Sequence, residues 1–124
     1  MSSDQPSVFA RPGQVPGFSC VASVERRGVT RITVGGELDI ASSHLLRDAL
    51  SGSAAGTRLA ILDLREVTFI DSIGLNVILR AHCRLRDVDC RLALIPGPRA
   101  VQRFFEITGA EGQLDFLEIA PPAG

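Results

Sequence analysis

Alternating apolar residues predict a hairpin near the start of the chain. In residues 18–24 and toward the end of 29–34, apolar side chains recur at every second position, which is typical of strands with one buried face. A turn at Gly28 separates the two stretches and favours an antiparallel pair. We expect the second strand to stop at Gly35 and Gly36.

Three further stretches are predicted to be strands. Residues 59–64 form a short, nearly unbroken apolar run, which is typical of a central strand covered on both faces. We expect that strand to lead into a loop that reaches Asp71. Residues 91–95 and 114–116 predict two shorter strands.

Helical spacing occurs in three segments. Residues 40–50 predict a first helix, with Asp39 or Ser42 as its N-cap. The second helix is expected from Asp71 to about residue 86, and the third from Pro98 to a glycine stop at residue 109. In the second helix we expect an apolar stripe at spacing four to face the core, made of Ile73, Val77, Ala81 and Leu85.

The order of these elements predicts the fold class. Strand, strand, helix, strand, helix, strand, helix, strand indicates an α/β fold, a mixed sheet of about five strands with three or more helices packed on it. The 124 residues suffice for one domain. We expect a flexible tail at 1–17, rich in proline and glycine, the domain at 18–120 and a disordered end at 121–124.

Composition narrows the classes of partner and the cellular location. Thirteen basic residues, all arginine, face fourteen acidic ones, and the net charge of −1 gives too weak a positive field to hold nucleic acid. The sequence contains neither an apolar run long enough to cross a membrane nor the pattern of a signal peptide. We therefore expect a cytoplasmic protein without membrane insertion.

The sequence contains no recognisable pattern of residues for catalysis, for metal binding or for cofactor binding. The two histidines, His44 and His82, fall on different predicted helices, and neither accompanies a nucleophile elbow. Neighbouring helical residues point about 100 degrees apart, so His82 and Cys83 are poorly placed to share a metal. Glycine-rich phosphate loops are absent. The sequence predicts reduced and mostly buried thiols, with neither an enzyme activity, nor a metal, nor a cofactor.

The segment around Asp71 is the most informative part of the chain. Asp71 is placed to cap the second helix by accepting the free amide of Gly74, which stabilises such a helix by about 1 kcal/mol. A glycine inside a helix costs up to about 1 kcal/mol relative to alanine, so Gly74 needs its own explanation. Two explanations for Gly74 remain open at this point, namely close approach by another chain and close packing inside the domain.

These residues resemble a known family. Residues 36–39, Gly-Glu-Leu-Asp, then 62–64 with Val67, and then 69–75, Phe-Ile-Asp-Ser-Ile-Gly-Leu, are similar in order and spacing to the STAS domain of bacterial anti-sigma factor antagonists. The resemblance extends from about residue 18 to residue 117. It implies a small, non-enzymatic α/β domain that binds an anti-sigma factor with a histidine-kinase-like ATPase fold and thereby releases a sigma factor.

The resemblance also implies which residues contact the partner. It points to the loop at Asp39 and to the turn whose members are Asp71, Ser72, Ile73, Gly74 and Leu75. Family members carry two adjacent hydroxyls in this turn, and the partner kinase commonly phosphorylates a hydroxyl at the start of the second helix. Here the second hydroxyl position is Ile73, which leaves Ser72 as the candidate phosphosite.

A second function from a different class also fits the sequence. A STAS domain can serve as a non-catalytic scaffold or small-ligand sensor in a signalling assembly, and the loss of one hydroxyl at Ile73 favours this reading slightly. Co-purification with an anti-sigma kinase distinguishes the two hypotheses.

Overall fold

A computed structural model describes residues 15–52 and 56–118. Within these ranges the elements follow the order β1 Phe18–Arg26, β2 Val29–Leu38, α1 Ser43–Gly52, β3 Leu59–Ile70, α2 Ser72–Asp87, β4 Arg91–Ile95, α3 Arg99–Thr108 and β5 Asp115–Phe116, with a 3-10 turn at Ala110–Gly112.

The strands form a mixed sheet with the spatial order β1-β2-β3-β4-β5. β1 and β2 are antiparallel and are joined by the turn at Gly28, whose φ of +78° suits glycine. The remaining pairs are parallel, and a helix connects each of β2 to β3, β3 to β4 and β4 to β5. The predicted mixed α/β architecture is confirmed.

Two of the predicted strand ends are wrong, and the parallel pairing of β2 with β3 explains both. β2 continues through the two glycines to Leu38, and β3 continues past residue 64 to Ile70. The two extensions pair with each other, Gly35 opposite Glu66 and Leu38 opposite Ile70, with register shifts on either side of Gly36. The expected loop after residue 64 is therefore strand.

Gly36 lies at these irregularities because the backbone there requires glycine. Its φ is +84°, and a Cβ atom would lie 1.9 Å from the carbonyl oxygen of Gly17. That oxygen accepts a hydrogen bond from the amide of Glu37 at 3.0 Å. The chain just before β1 thus packs against the bulged part of β2.

The core lies between one face of the sheet and the helices. Alternate residues of β2, β3 and β4 are buried on that face, and the helices add apolar side chains to the same cluster. Its largest fully buried members include Ile32, Leu46, Leu62, Ile78, Leu94 and Phe105. Phe105 also meets Phe116 edge to face at 5.1 Å between ring centroids, which holds β5 against α3.

The buried face of α2 differs from the predicted stripe. Ala81 and Leu85 are buried as expected, whereas Ile73 is 41% exposed. The buried residues of this helix are Gly74, Leu75, Ile78, Ala81 and Leu85. A strict spacing of four drifts away from the 3.6-residue period, so the first residue of the predicted stripe turns to solvent.

The predicted chain ends fall mainly outside the described residues. Residues 1–14 and 119–124 are not described, so the tail at 1–17, the domain limit at 120 and the disordered end at 121–124 stay predictions. Residues 15–17 are described, and the carbonyl of Val15 accepts a hydrogen bond from the amide of Phe18 at 3.3 Å. None of the helices in the described ranges is long and apolar enough to cross a membrane.

A buried carboxylate on β3 is held by two arginines. Asp63 accepts hydrogen bonds from Arg65 Nε at 3.0 Å, from Arg65 Nη2 at 2.8 Å and from Arg31 Nη1 at 3.1 Å. Burial by itself would raise the pKa of Asp63, but the hydrogen bonds from Arg65 and the charges of Arg65 and Arg31 outweigh it. They hold the pKa below its ordinary value of 3.8.

This arrangement predicts a loss of stability in acid. A carboxylate whose pKa is lower in the folded than in the unfolded protein stabilises the fold at pH values above its unfolded pKa. That contribution is lost as the pH falls through its folded pKa. We expect Asp63→Asn to lower the free energy of unfolding at neutral pH by about 1–3 kcal/mol and to flatten its decline below about pH 4. Urea unfolding as a function of pH measures both effects.

Asp48→Asn is the matched control. Asp48 is exposed and lies 3.8 Å from Arg47 Nε, a surface pair of little energetic weight. Its substitution should change stability by less than about 0.5 kcal/mol. Equal effects of the two substitutions would contradict a special role for Asp63.

Candidate functional site

Asp71 joins the end of β3 to the start of α2. It is the N-cap of α2, with an extended backbone, and its Oδ1 accepts hydrogen bonds from the amides of Ile73 and Gly74, each at 3.0 Å. The amide of Asp71 donates to the carbonyl oxygen of Leu38 at 3.2 Å. The predicted cap is confirmed, and it is tied directly to the end of β2.

Gly74 is required by packing inside the domain. It is buried, and a Cβ atom on it would lie 2.7 Å from Leu38 Cγ and 2.9 Å from the Leu38 carbonyl oxygen. Of the two explanations left open by the sequence, the structure therefore favours the internal one. A bulky residue at Gly74 would therefore disturb the fold itself, because its first carbon atom already meets the Leu38 backbone.

The Asp39 loop is ordered by a second set of side-chain hydrogen bonds. Asp39 Oδ1 accepts from the amides of Ala41 at 3.0 Å and Ser42 at 3.2 Å. The buried hydroxyl of Ser42 donates to the Glu37 carbonyl at 2.7 Å and accepts from the Asp39 amide at 3.0 Å. Both predicted cap residues thus act in the turn before α1, which begins at Ser43 rather than at residue 40.

The parallel register places this loop beside the Asp71 turn. Leu38 pairs with Ile70, so the residues that follow each of them leave the same edge of the sheet. Asp39 and Asp71, which the sequence analysis placed at one surface, therefore lie at the adjoining ends of β2 and β3. Both carboxylates bind backbone amides of their own turns.

The predicted contact residues of the turn divide into exposed and buried ones. Ser72 and Ile73 face solvent, whereas Gly74 and Leu75 are buried beneath them. Two apolar residues that sequence reasoning did not select are exposed near them, Ile40 at 70% and Phe69 at 50%. We call the set Ile40, Phe69, Ser72 and Ile73 the end patch.

The exposure of Phe69 depends on the unpredicted extension of β3. A loop over residues 65–70 carries no expectation of which side chains are exposed, whereas strand alternation turns Phe69 away from the buried Ile70. Phe69 also lines a groove of about 230 Å³ together with Val101 and Phe104 of α3. An available signal was the occurrence of Phe69 and Ile70 side by side before Asp71, since two adjacent strand residues point to opposite faces.

The other candidate reactive groups do not assemble at this surface. The structure has no cluster of three or more His, Cys, Asp or Glu suited to a metal among the described residues. Cys20, Cys83 and Cys90 are free thiols. Cys90 is buried, but Cys83 is exposed, which corrects the expectation of mostly buried thiols, and burial raises the pKa of Cys20 to about 11.

Comparison with known proteins identifies similar chains. The sequence profile of the family described as "Mlab, STAS domain" matches residues 22–118. The anti-sigma-B factor antagonist of Listeria monocytogenes is 34% identical over 89 residues, which cover 71% of this chain and 75% of that protein.

Solved structures share the fold at lower sequence identity. An anti-sigma factor antagonist from Mycobacterium paratuberculosis superposes with a TM-score of 0.73 at 20% identity, covering 90% of this chain and 92% of that one. The Bacillus cell fate determinant SpoIIAA in its phosphorylated form gives a TM-score of 0.63 at 20% identity, with 81% and 92% covered.

The packing of Gly74 against Leu38 predicts the effect of a single methyl group. Alanine in place of glycine normally stabilises a helix by about 1 kcal/mol. We expect Gly74→Ala instead to lower the free energy of unfolding by about 1–3 kcal/mol, because the new carbon overlaps the Leu38 backbone. Denaturant unfolding measures the difference.

Gly52→Ala at the end of α1 provides the control. An added Cβ there meets nothing within 4 Å. This substitution should leave stability unchanged or raise it by up to about 1 kcal/mol. A Gly74→Ala protein as stable as the wild type would show that Leu38 moves aside freely.

Proposed function

The chain belongs to the STAS domain family, and on that premise we propose that it is an anti-sigma factor antagonist that docks through the end patch. The observation that carries the proposal is the placement of Ser72 and Ile73. They are exposed on a turn that is ordered by the Asp71 cap and by the packing of Gly74, in one of the segments that carry the resemblance to antagonists.

The physical character of the end patch supports binding rather than catalysis. Ile40, Phe69 and Ile73 each expose an apolar side chain in the turns at one end of the sheet, and exposed apolar surface of this kind commonly marks an interaction site. Neither histidine belongs to this turn, so Ser72 has no adjacent imidazole base in its own segment. We propose a non-enzymatic binding role, and we place it in the cytoplasm as part of the same proposal.

The partner in this proposal is an anti-sigma factor with a histidine-kinase-like ATPase fold. The Listeria relative is named for antagonism of an anti-sigma factor, which supports an anti-sigma factor as the partner, and the ATPase fold is what the family resemblance implies. In the proposed complex, Ser72 and Ile73 contact the partner, whereas Asp39, Asp71, Gly74 and Leu75 hold the contacting residues in place from below. Release of a sigma factor follows from occupation of its anti-sigma factor.

The antagonist role and the alternative of a scaffold or ligand sensor differ in the binding that each predicts. An isoleucine in place of the second hydroxyl removes a phosphate acceptor and adds apolar contact area, which strengthens a docking surface. A scaffold or sensor role predicts no stable complex with the anti-sigma factor. The antagonist role predicts such a complex, which phosphorylation of Ser72 by the partner would break.

The first prediction tests the end patch as a binding surface. Ile73→Asp should weaken the complex with the ATPase-type anti-sigma factor of the same genome by about tenfold or more, because a carboxylate must be desolvated at the interface. The control is Ile107→Asp on α3, where the isoleucine is 72% exposed and distant in sequence from the turn. Titration calorimetry measures both affinities, and equal weakening would contradict docking at the end patch.

The second prediction concerns the phosphosite. Incubation with that kinase and ATP should add one phosphate to the wild type and none to Ser72→Ala, as read by intact mass. The phosphate carries a charge of about −1.5 to −2, which the N-terminus of α2 tolerates but the interface does not. The modified protein should remain folded and lose its partner.

Ser51 supplies a matched control, because a glutamate there places the same charge on an exposed position of another helix. Ser51→Glu lies on an exposed position of α1 and should bind as the wild type does, whereas Ser72→Glu should bind weakly. A phosphate found on Ser72→Ala would place the acceptor elsewhere. A wild type that binds but is never phosphorylated would mean that the switch has been lost and that the protein is a constitutively competent antagonist.

A further inference from the structure

A cavity lies at the opposite end of the sheet from the end patch. It has a volume of about 320 Å³ and is formed where β3 and β4 begin and α2 ends. The amide of Arg91 donates to the carbonyl of Arg58 at 2.8 Å, which fixes the two strand starts side by side. The described residues that line the cavity are Arg58, His82, Arg86, Asp89, Cys90, Arg91 and Leu92.

The lining carries more positive than negative charge. Three arginines face one carboxylate, that of Asp89. Arg91 is partly neutralised, since its Nε donates to Asp115 Oδ2 at 2.5 Å. Arg58 and Arg86 have no side-chain hydrogen bond or ion pair with any other residue that the structure describes.

Arg58 is exposed and lacks a charged partner among the described residues. Its guanidinium lies over Gly28, where a Cβ atom would approach Arg58 Nε to 2.8 Å. The amide of Arg58 donates to the Gly28 carbonyl at 2.8 Å, which anchors the backbone at the cavity wall. The guanidinium donors of Arg58 are therefore available to an anion.

His82 also lines the cavity, one helical turn before Arg86 on α2. A ligand seated in the cavity therefore lies close to this ring.

We propose that the cavity binds a small phosphorylated metabolite of about the size of a sugar phosphate. Guanidinium groups bind phosphate oxygens through paired, charge-assisted hydrogen bonds, which assigns the phosphate to Arg58 and Arg86. The carboxylate of Asp89 can accept hydrogen bonds from hydroxyl groups. A lining of arginines and one carboxylate therefore fits a molecule that carries both a phosphate and hydroxyls. A volume of about 320 Å³ lies at the small end of the range for ligand pockets.

Ribose 5-phosphate is the probe, and the chain contains its own internal control. The chain has only two histidines, so the imidazole NMR signals of His82 at the cavity and of His44 on α1 can be followed separately. Titration with ribose 5-phosphate at up to about 10 mM should shift the His82 signals and leave those of His44 in place. Ribose without phosphate should shift neither, and inorganic phosphate should compete.

Substitution of the two arginines tests the assignment. Arg58→Gln with Arg86→Gln should weaken binding by about tenfold or more, since each removes a charge-assisted hydrogen bond. Arg103→Gln, an exposed position on α3, should bind as the wild type does. Thermal unfolding establishes that each variant is folded, and the wild-type His82 signals test the proposal independently if a variant is not.

Several results would overturn the proposal. These are unshifted His82 signals at the highest concentration, equal shifts of His82 and His44, ribose binding as tightly as ribose 5-phosphate, or unchanged affinity in the arginine variants. The experiment needs no anti-sigma factor. Its outcome is therefore separate from that of the proposed antagonist function.

Discussion

The hydrogen bond from the Asp71 amide to the Leu38 carbonyl is the contact on which the functional end of the molecule depends. It joins the last residue of β2 to the cap of α2, at the point where β3 ends. Gly74 makes the contact possible, because any Cβ atom there would overlap the same Leu38 carbonyl. Strand pairing, helix capping and close packing thus all involve the end of β2 at Leu38.

This junction explains why the most informative residues of the sequence are not the contacting ones. Asp71 uses its carboxylate on two helix amides, and Gly74 is buried against Leu38. Their effect on binding is indirect, since they fix where Ser72 and Ile73 stand. A rigid surface has less conformational entropy to lose on association, which favours affinity for a given contact area.

The fold was largely predictable, because its signals are local. Apolar alternation, the Gly28 turn, the Asp71 cap and the glycine stop at Gly109 each depend on a few neighbouring residues. The extensions of β2 and β3 were not predictable in this way. They form because each pairs with the other across more than thirty residues of sequence, and the bulges at Gly36 hide the alternation.

The candidate site was predictable in position but not in composition. The resemblance located the turn and the Asp39 loop, and the parallel register brings both to one edge of the sheet. The exposure of Phe69 and Ile40 follows from the strand extension and from the turn that Ser42 closes, neither of which the sequence pattern reveals. The basic cavity combines Arg58 with six residues of the stretch 82–92, and the pairing of β3 with β4 that brings Arg58 to them leaves no local signal in the sequence.

Amide hydrogen exchange of the full chain, alone and bound to the ATPase-type anti-sigma factor, tests the central claim most directly. The account predicts new protection in residues 39–42 and 69–76, which form the two turns at the end of the sheet, and unchanged exchange in α3 beyond Phe104 and in β1. Protection centred on β1 or on the outer face of α3, with the two turns unaffected, would contradict it.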